Sequence, residues 1–264
     1  MLASLSSSSL LVASLLFVTA PVPVNGNKLC NPWKPVVADL KASFKGCNAD
    51  ARMAMRAAFH DCFPGSCDGS LILANECNDR PDDNGPLVPI CETLAQKAID
   101  FKVGTADLIQ AAGVVAITSC AGPRTYFYVG RKDSSVPSPE GQLPNSESTA
   151  QQQIDACKAK GFTTTDLVAM VGAHSAGVSQ QGLSFDSTPE KLDSTVFYPE
   201  TASEKGPTSL QSDYALSNDT QTKTAWKNMG RSNALWRAQF VTTMRKVTLM
   251  GNTVKSLTDC SYLI

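Results

Sequence analysis

Arg56-Ala57-Ala58-Phe59-His60-Asp61-Cys62-Phe63-Pro64-Gly65-Ser66-Cys67-Asp68-Gly69-Ser70 begins with helical spacing and ends as a loop rich in oxygen atoms. Arg56 and His60 are four residues apart, which on an α-helix puts both side chains on one face, one turn apart. A cation beside an imidazole can do acid–base chemistry. Asp61, Asp68 and Ser70 then supply oxygen side chains, with the Pro64 and Ser66 carbonyls between them. Hard oxygen donors suit Ca²⁺, and Cys62 and Cys67 are close enough to close the loop. The spacing is not that of an EF-hand, and a solvated acidic turn has the same composition. A histidine beside a helix-surface arginine is also commoner than a catalytic pair, so the stretch needs a counterpart elsewhere.

The chain has only one other histidine, His174, in Met170-Val171-Gly172-Ala173-His174-Ser175. After it, Asp186-Ser187-Thr188-Pro189-Glu190-Lys191-Leu192-Asp193 again alternates oxygen donors. Each histidine is therefore followed by a possible calcium loop. In Leu210-Gln211-Ser212-Asp213 a carboxylate sits in a semi-apolar helix. Such a group can fix a metal-bound imidazole through its other nitrogen.

Composition limits the classes. The 264 residues are 42% hydrophobic and 18% charged, enough for one large domain or two lobes with real cores. A net charge of -1 and the lack of a polybasic run point away from nucleic acid and anionic lipid, and toward a small partner. Residues 1–27 carry no charged side chain except the terminal amine, and Leu10 to Val18 form a short apolar run before small residues. This reads as a secretory leader over residues 1–26, cleaved between 20 and 26, with the run too short for a membrane span. Nine cysteines fit an oxidising compartment. Asn218-Asp219-Thr220 is an N-glycosylation sequon.

The mature chain is mostly helical in period. Helices are expected over residues 36–44, 51–63, 90–101, 105–120 and 149–160, with the almost wholly apolar 105–120 segment as a central core helix. Gly161 suits a helix C-terminus, and Thr163 with Asp166 suits the start of the helix that delivers His174. Residues 76–89 read as a break dense in Asp, Asn, Pro and Gly. Tyr126 to Val129 read as a short extended piece, 134–148 as a connecting loop, and 177–208 as loop-like. Residues 209–250 read as helices anchored by Trp226, Trp236, Phe240, Val247 and Leu249.

Several motifs together carry a family resemblance. Arg56-x-x-Phe59-His60-Asp61-Cys62 resembles the distal signature of the plant, fungal and bacterial haem peroxidase superfamily, and Val171 to Ser175 resembles its proximal signature. Thr105 to Gln110 with Thr118 to Gly122, Phe185 to Pro189, Leu210 to Asp213, and Leu257 to Ser261 are similar to the secreted fungal, ligninase-type class II branch. The resemblance spans about residues 30–261.

It implies a mainly α fold with little β, in which haem lies between a distal lobe of about residues 28–145 and a proximal lobe of about 146–264. His174 would be the axial ligand of haem b, with Asp213 accepting its Nδ1 proton. His60 would serve as base and then acid toward hydrogen peroxide, and Arg56 would stabilise charge as the O–O bond breaks. Turnover would run through a ferryl porphyrin-radical intermediate, followed by two one-electron oxidations of a donor. Phe59 and Phe185 would be the distal and proximal aromatic neighbours.

The resemblance further implies two Ca²⁺. One would be held by Asp61, Asp68, Ser70 and the Pro64 and Ser66 carbonyls, the other by Ser175, Asp186, Thr188, Asp193 and the Lys191 carbonyl. It pairs Cys47 with Cys120 and Cys30 with Cys260. Cys62 with Cys67 is more like the plant secreted branch. Of the remaining three, Cys77 with Cys91 is favoured, leaving Cys157 free.

Departures shape the expected activity. The residue that orients His60 is Asn84 in first place, with Asp83 as competitor, and Glu76 is the candidate for the carboxylate tied to it. Manganese-oxidising members need an acidic residue where this chain has Val178-Ser179-Gln180, and lignin-oxidising members carry a surface Trp where it has Ala169. Small phenolic or aromatic donors oxidised at the haem edge are therefore expected, by a monomer. Trp33, Trp226 and Trp236 are expected to pack. Two rivals stand beside this reading. A secreted zinc hydrolase lacks a ligand cluster such as HExxH. A calcium-stabilised interaction protein leaves Arg56, His60 and Asp213 together unexplained.

Overall fold

A computed structural model describes residues 28–179 and 181–264. The expected leader and Gln180 lie outside the described residues.

Helix α1 (Trp33–Ser43) buries Trp33, Val36, Val37 and Leu40, an i, i+3, i+4, i+7 stripe. Helix α2 (Ala49–Cys62) starts where the Asn48 side chain accepts the Ala51 N–H at 3.0 Å. Gly69, with φ +80°, turns the chain into the short α3 (Ser70–Leu73). At Gly69 an added Cβ would stand 2.9 Å from the Ala106 nitrogen, so glycine is required by both conformation and space.

The stretch 76–89, expected as a break, is instead folded. It forms α4 (Glu76–Asp79), α5 (Pro81–Asn84) and a 3₁₀ turn (Gly85–Leu87) that runs into α6 (Val88–Phe101). Its prolines caused the misreading. Each sits at the first or second position of an element, where a missing N–H costs nothing and a fixed φ helps.

Helix α7 (Thr105–Ser119) is buried continuously from Thr105 to Ile117 and packs along α2. Gly113 allows the close approach, since a Cβ there would collide with that of Ala58. Gln110 Nε2 donates to the Ala58 carbonyl at 3.1 Å. Strand β1 (Tyr128–Val129) follows.

Helix α8 (Ala150–Ala159) opens on a Thr149/Gln152 capping box, and Gly161 beyond it has φ +81°. Helix α9 (Thr164–Val171) opens on a Thr163/Asp166 box and passes into a 3₁₀ turn, Gly172–Ala176. The region 177–208, expected as loop, contains α10 (Ser194–Ser203). Its buried Ser194, Phe197, Tyr198 and Thr201 fall at helical spacing, but two of the four are polar and Pro199 lies within the helix, so the sequence shows no apolar stripe. Tertiary burial rather than an amphipathic pattern holds it in place.

Helices α11 (Gln211–Asn218), α12 (Lys223–Arg231) and α13 (Asn233–Thr248) complete the fold, and β2 (Thr258–Asp259) pairs antiparallel with β1. The fold is mainly α, with this two-stranded ribbon as its sheet. Helix α13 packs on α9, while α10 lies against α11 and α12. Trp33, Trp226 and Trp236 are all buried. Among the described residues no single helix is long and apolar enough to cross a membrane.

The cysteines pair Cys30 with Cys260, Cys47 with Cys120, Cys62 with Cys67 and Cys77 with Cys91. Cys157 is left as a buried thiol that burial pushes up to about 12.

Candidate active site

Helix α2 carries the first half of the site. Arg56 Nε donates to His60 Nε2 at 3.1 Å, and Arg56 Nη2 donates to the Asp83 carbonyl at 2.9 Å. His60 Nδ1 lies 2.8 Å from Asn84 Oδ1. The two contacts select one tautomer. Nε2 receives a hydrogen bond and keeps its lone pair, so Nδ1 bears the proton and donates to Asn84. Burial first, and the Arg56 charge second, push His60 down to about 3, so the ring is neutral at physiological pH. Asn84, on α5, is the residue brought to His60. Asp83 meets Arg56 instead, through its backbone.

Asn84 Nδ2 donates to the Glu76 backbone carbonyl at 3.1 Å. Glu76 thus holds Asn84 by its main chain. Its carboxylate is occupied by Arg80 Nη1 at 2.8 Å and by the Ser138 N–H at 2.8 Å. Phe59 stacks on Phe63 at 4.8 Å and stands 6.2 Å from the His60 ring.

The second half comes from the turn after α9. His174 Nδ1 lies 2.8 Å from Asp213 Oδ2, on α11. Burial lowers the His174 pKa, but the Asp213 charge and hydrogen bond outweigh it, and the net shift is upward. Nε2 remains the ring's free nitrogen. The His174 side chain is 39% exposed although its carboxylate partner is only 1% exposed, so the ring is anchored from behind and open in front. Arg56 is likewise exposed while its neighbour His60 is buried. His174 acts electrostatically on His60 and Arg56 acts on His174, so the two halves lie within range of each other's charge.

Phe185 stands 6.0 Å from His174, and Phe197 on α10 meets its ring edge-on at 6.4 Å. Phe197 was not singled out from sequence, because two of the four positions its helix buries, Ser194 and Thr201, are polar and hide the stripe. Gly172 was also missed. A Cβ there would collide with the Trp236 indole and the Tyr198 hydroxyl, so glycine lets the turn bearing His174 lie against α10 and α13.

The oxygen-rich loops differ in how far their groups are already engaged. In the first, Asp61 accepts the Gly69 and Leu71 N–H groups, and Asp68 accepts the Ser70 N–H and the Ser66 hydroxyl. The Ser70 and Ser138 hydroxyls share a bond of 2.9 Å, and Lys160 Nζ reaches the Pro64 carbonyl at 3.4 Å. Burial raises Asp61 to about 8. In the second loop, Asp186 Oδ2 and Thr188 Oγ1 are buried with no hydrogen-bond partner, and burial raises Asp186 to about 7. Ser175 Oγ donates to the Gly172 carbonyl, and Asp193 Oδ1 caps α10 by accepting from Thr195. Lys191 donates its N–H to the Thr188 carbonyl. Unpartnered buried oxygens beside carboxylates held above their usual range are what a hard cation would relieve. Among the described residues no three His, Cys, Asp or Glu side chains gather around one point, which removes the zinc-hydrolase rival's ligand set.

A mainly α fold that presents one imidazole anchored to a buried carboxylate and another beside a guanidinium is that of a haem-dependent oxidoreductase. A family profile described as Peroxidase matches residues 36–232, and the chain belongs to that family. It is 31% identical to a peroxidase of Arthromyces ramosus, an alignment covering 90% of this chain and 76% of the relative. It is 29% identical to a ligninase of Phanerodontia chrysosporium, covering 90% and 76%. It is 26% identical to a versatile peroxidase of Pleurotus eryngii, covering 90% and 75%. Membership makes the chain a haem peroxidase, using hydrogen peroxide and a reducing substrate. The free His174 Nε2, on a partly exposed ring held by Asp213, fits that cofactor.

Proposed function

We propose that this protein is a secreted, monomeric haem peroxidase that oxidises small phenolic or aromatic donors at the haem edge. Residues 28–145 would form its distal lobe and 146–264 its proximal lobe, with the cofactor between them. The observation that carries the reading is the contact between Arg56 Nε and His60 Nε2, with Nδ1 tied to Asn84. It presents a neutral imidazole lone pair next to a fixed positive charge.

Haem b, when bound, supplies the iron that takes peroxide and stores the two oxidising equivalents passed to donors. His174 would hold the iron through Nε2. Asp213, accepting from Nδ1, would give the imidazole anionic character and so favour the oxidised metal. His60 Nε2 takes the proton from the incoming peroxide oxygen and delivers it to the departing one. Nδ1 keeps its proton throughout and donates it as a hydrogen bond to Asn84 Oδ1, which prevents the ring from turning over. Arg56 stabilises the negative charge that develops as the O–O bond breaks. Phe59 and Phe185 would be apolar neighbours of the cofactor.

The two loops would each hold a Ca²⁺. Asp61, Asp68 and Ser70, with the Pro64 and Ser66 carbonyls, form one set, and Ser175, Asp186, Thr188 and Asp193, with the Lys191 carbonyl, form the other. The second set is supported by the orphaned Asp186 and Thr188 oxygens.

The donor assignment rests on what the chain lacks at two positions. Ala169 is wholly buried, its carbonyl accepting the Trp236 indole N–H at 3.1 Å, so no aromatic is displayed there. Val178 and Ser179 supply no carboxylate. The charge-free apolar run near the N-terminus supports secretion.

His60→Ala should slow the reaction with peroxide by about 10²–10⁴-fold while haem stays bound. An unchanged rate would remove His60 from the mechanism. A screen of Mn²⁺, a simple phenol and a high-potential non-phenolic aromatic should find turnover with the phenol. Turnover with Mn²⁺ alone would overturn the donor assignment.

A further inference from the structure

Between residues 135 and 142, on the strap that joins β1 to α8, only Ser138 is turned inward among exposed neighbours. Three of its groups are engaged. Its N–H donates to Glu76 Oε1 at 2.8 Å, its carbonyl accepts from Arg80 Nη2, and its hydroxyl is 2.9 Å from that of Ser70. The Ser134 N–H donates to the Asp68 carbonyl at 2.9 Å, a second tie between the strap and the first oxygen-rich loop. Glu76 is almost fully buried, and its other carboxylate oxygen takes Arg80 Nη1 at 2.8 Å. From Glu76 the path continues through its carbonyl to Asn84 Nδ2 at 3.1 Å, and from Asn84 Oδ1 to His60 Nδ1 at 2.8 Å.

The sequence of contacts Ser70, Ser138, Glu76, Asn84, His60 is unbroken. Its ends are also joined through Asp61, which follows His60 and accepts the Gly69 and Leu71 N–H groups, but that route does not pass Asn84. We propose that Ser138 is a positioning residue: its hydroxyl and N–H couple the first cation loop to the carbonyl that aims Asn84 at His60. The inference rests on His60 being the group that handles the peroxide proton. A strap that only clamped the surface would add stability without linking the two regions.

Hydrogen exchange of the holoenzyme, in calcium and after chelation, tests this directly. In the wild type, chelation should raise exchange in residues 61–71 and also in 76–87. In Ser138→Ala the first segment should still respond, while the response of 76–87 falls by about fivefold, the equivalent of one hydrogen bond. Ser138→Thr, which keeps the hydroxyl, should restore it. The rate of reaction with peroxide should fall in Ser138→Ala with the donor KM unchanged, and the fall should vanish in an Asn84→Ala background. A calcium response of 76–87 that survives in Ser138→Ala overturns the proposal, as does additivity with Asn84→Ala. No response of 61–71 in the wild type overturns it at its first link. An unchanged peroxide rate in His60→Ala would instead remove the assignment of His60, leaving the exchange result to stand alone.

Discussion

Asp213 is 1% exposed, gives one oxygen to His174 Nδ1, and leaves Oδ1 without a partner. That combination makes its charge matter more than its shape. Asp213→Asn keeps the size but offers a neutral acceptor in place of an anion, and hydrogen bonds to charged groups contribute about 1.5–3 kcal/mol against about 1 kcal/mol for neutral ones. The ferric form should lose more than the ferrous form, so the haem reduction potential should rise, which spectroelectrochemistry of the variant would measure. An unshifted potential would mean that the carboxylate only props the ring. On the opposite face, the neutral state of His60 has a simple origin. Both burial and Arg56 act against a second proton, so in the proposed mechanism His60 can serve as base without first being deprotonated by the medium.

Each loop proposed to hold calcium is covalently continuous with a histidine-bearing segment: Asp61 follows His60 at the end of α2, and Ser175 follows His174 in the turn after α9. Verified calcium removal should therefore slow the reaction with peroxide and change the haem spin state, read by stopped-flow and absorption spectra. Identical spectra and rates would dissociate the loops from the histidines. Much of this level was legible in sequence, because α2 interleaves apolar and polar residues at helical spacing, α7 is an almost unbroken apolar run, and Gly161 and Thr163 mark the boundary between α8 and α9. Helix α10 was not legible. Its buried face is assembled by neighbours distant in the chain, and with it Phe197, which touches His174, stayed hidden. Asn84 could be placed ahead of Asp83 as His60's partner but not separated from it, because adjacent residues on a short helix point apart and only the fold decides which one faces inward.

At the scale of the molecule, Asp166 joins α9 to α13. Burial would raise its pKa, but Lys246 at 2.7 Å, Thr163 and Thr243 at 2.8 Å outweigh that and hold it down at about 2. A carboxylate with a depressed folded value stabilises the fold above its unfolded pKa, and that contribution disappears as pH falls from roughly 4 to about 2. Thermal unfolding of Asp166→Asn should show a deficit of about 1–3 kcal/mol against the wild type at pH 6. The gap should narrow at the acid end. A gap independent of pH would mean that packing, not charge, makes the difference. The Cys30–Cys260 bridge closes a loop with a sequence separation of 230, whereas the other three bridges lie wholly within residues 47–120. Loop-closure entropy assigns such a ring about 5 kcal/mol. It also makes the chain a closed covalent ring, so a single protease cut in the exposed Val136-Pro137 stretch would open the ring without releasing a fragment. The cut protein should run as one band until reductant is added and as two bands afterwards. Continuity of the polypeptide and integrity of the molecule are, in this protein, separate properties.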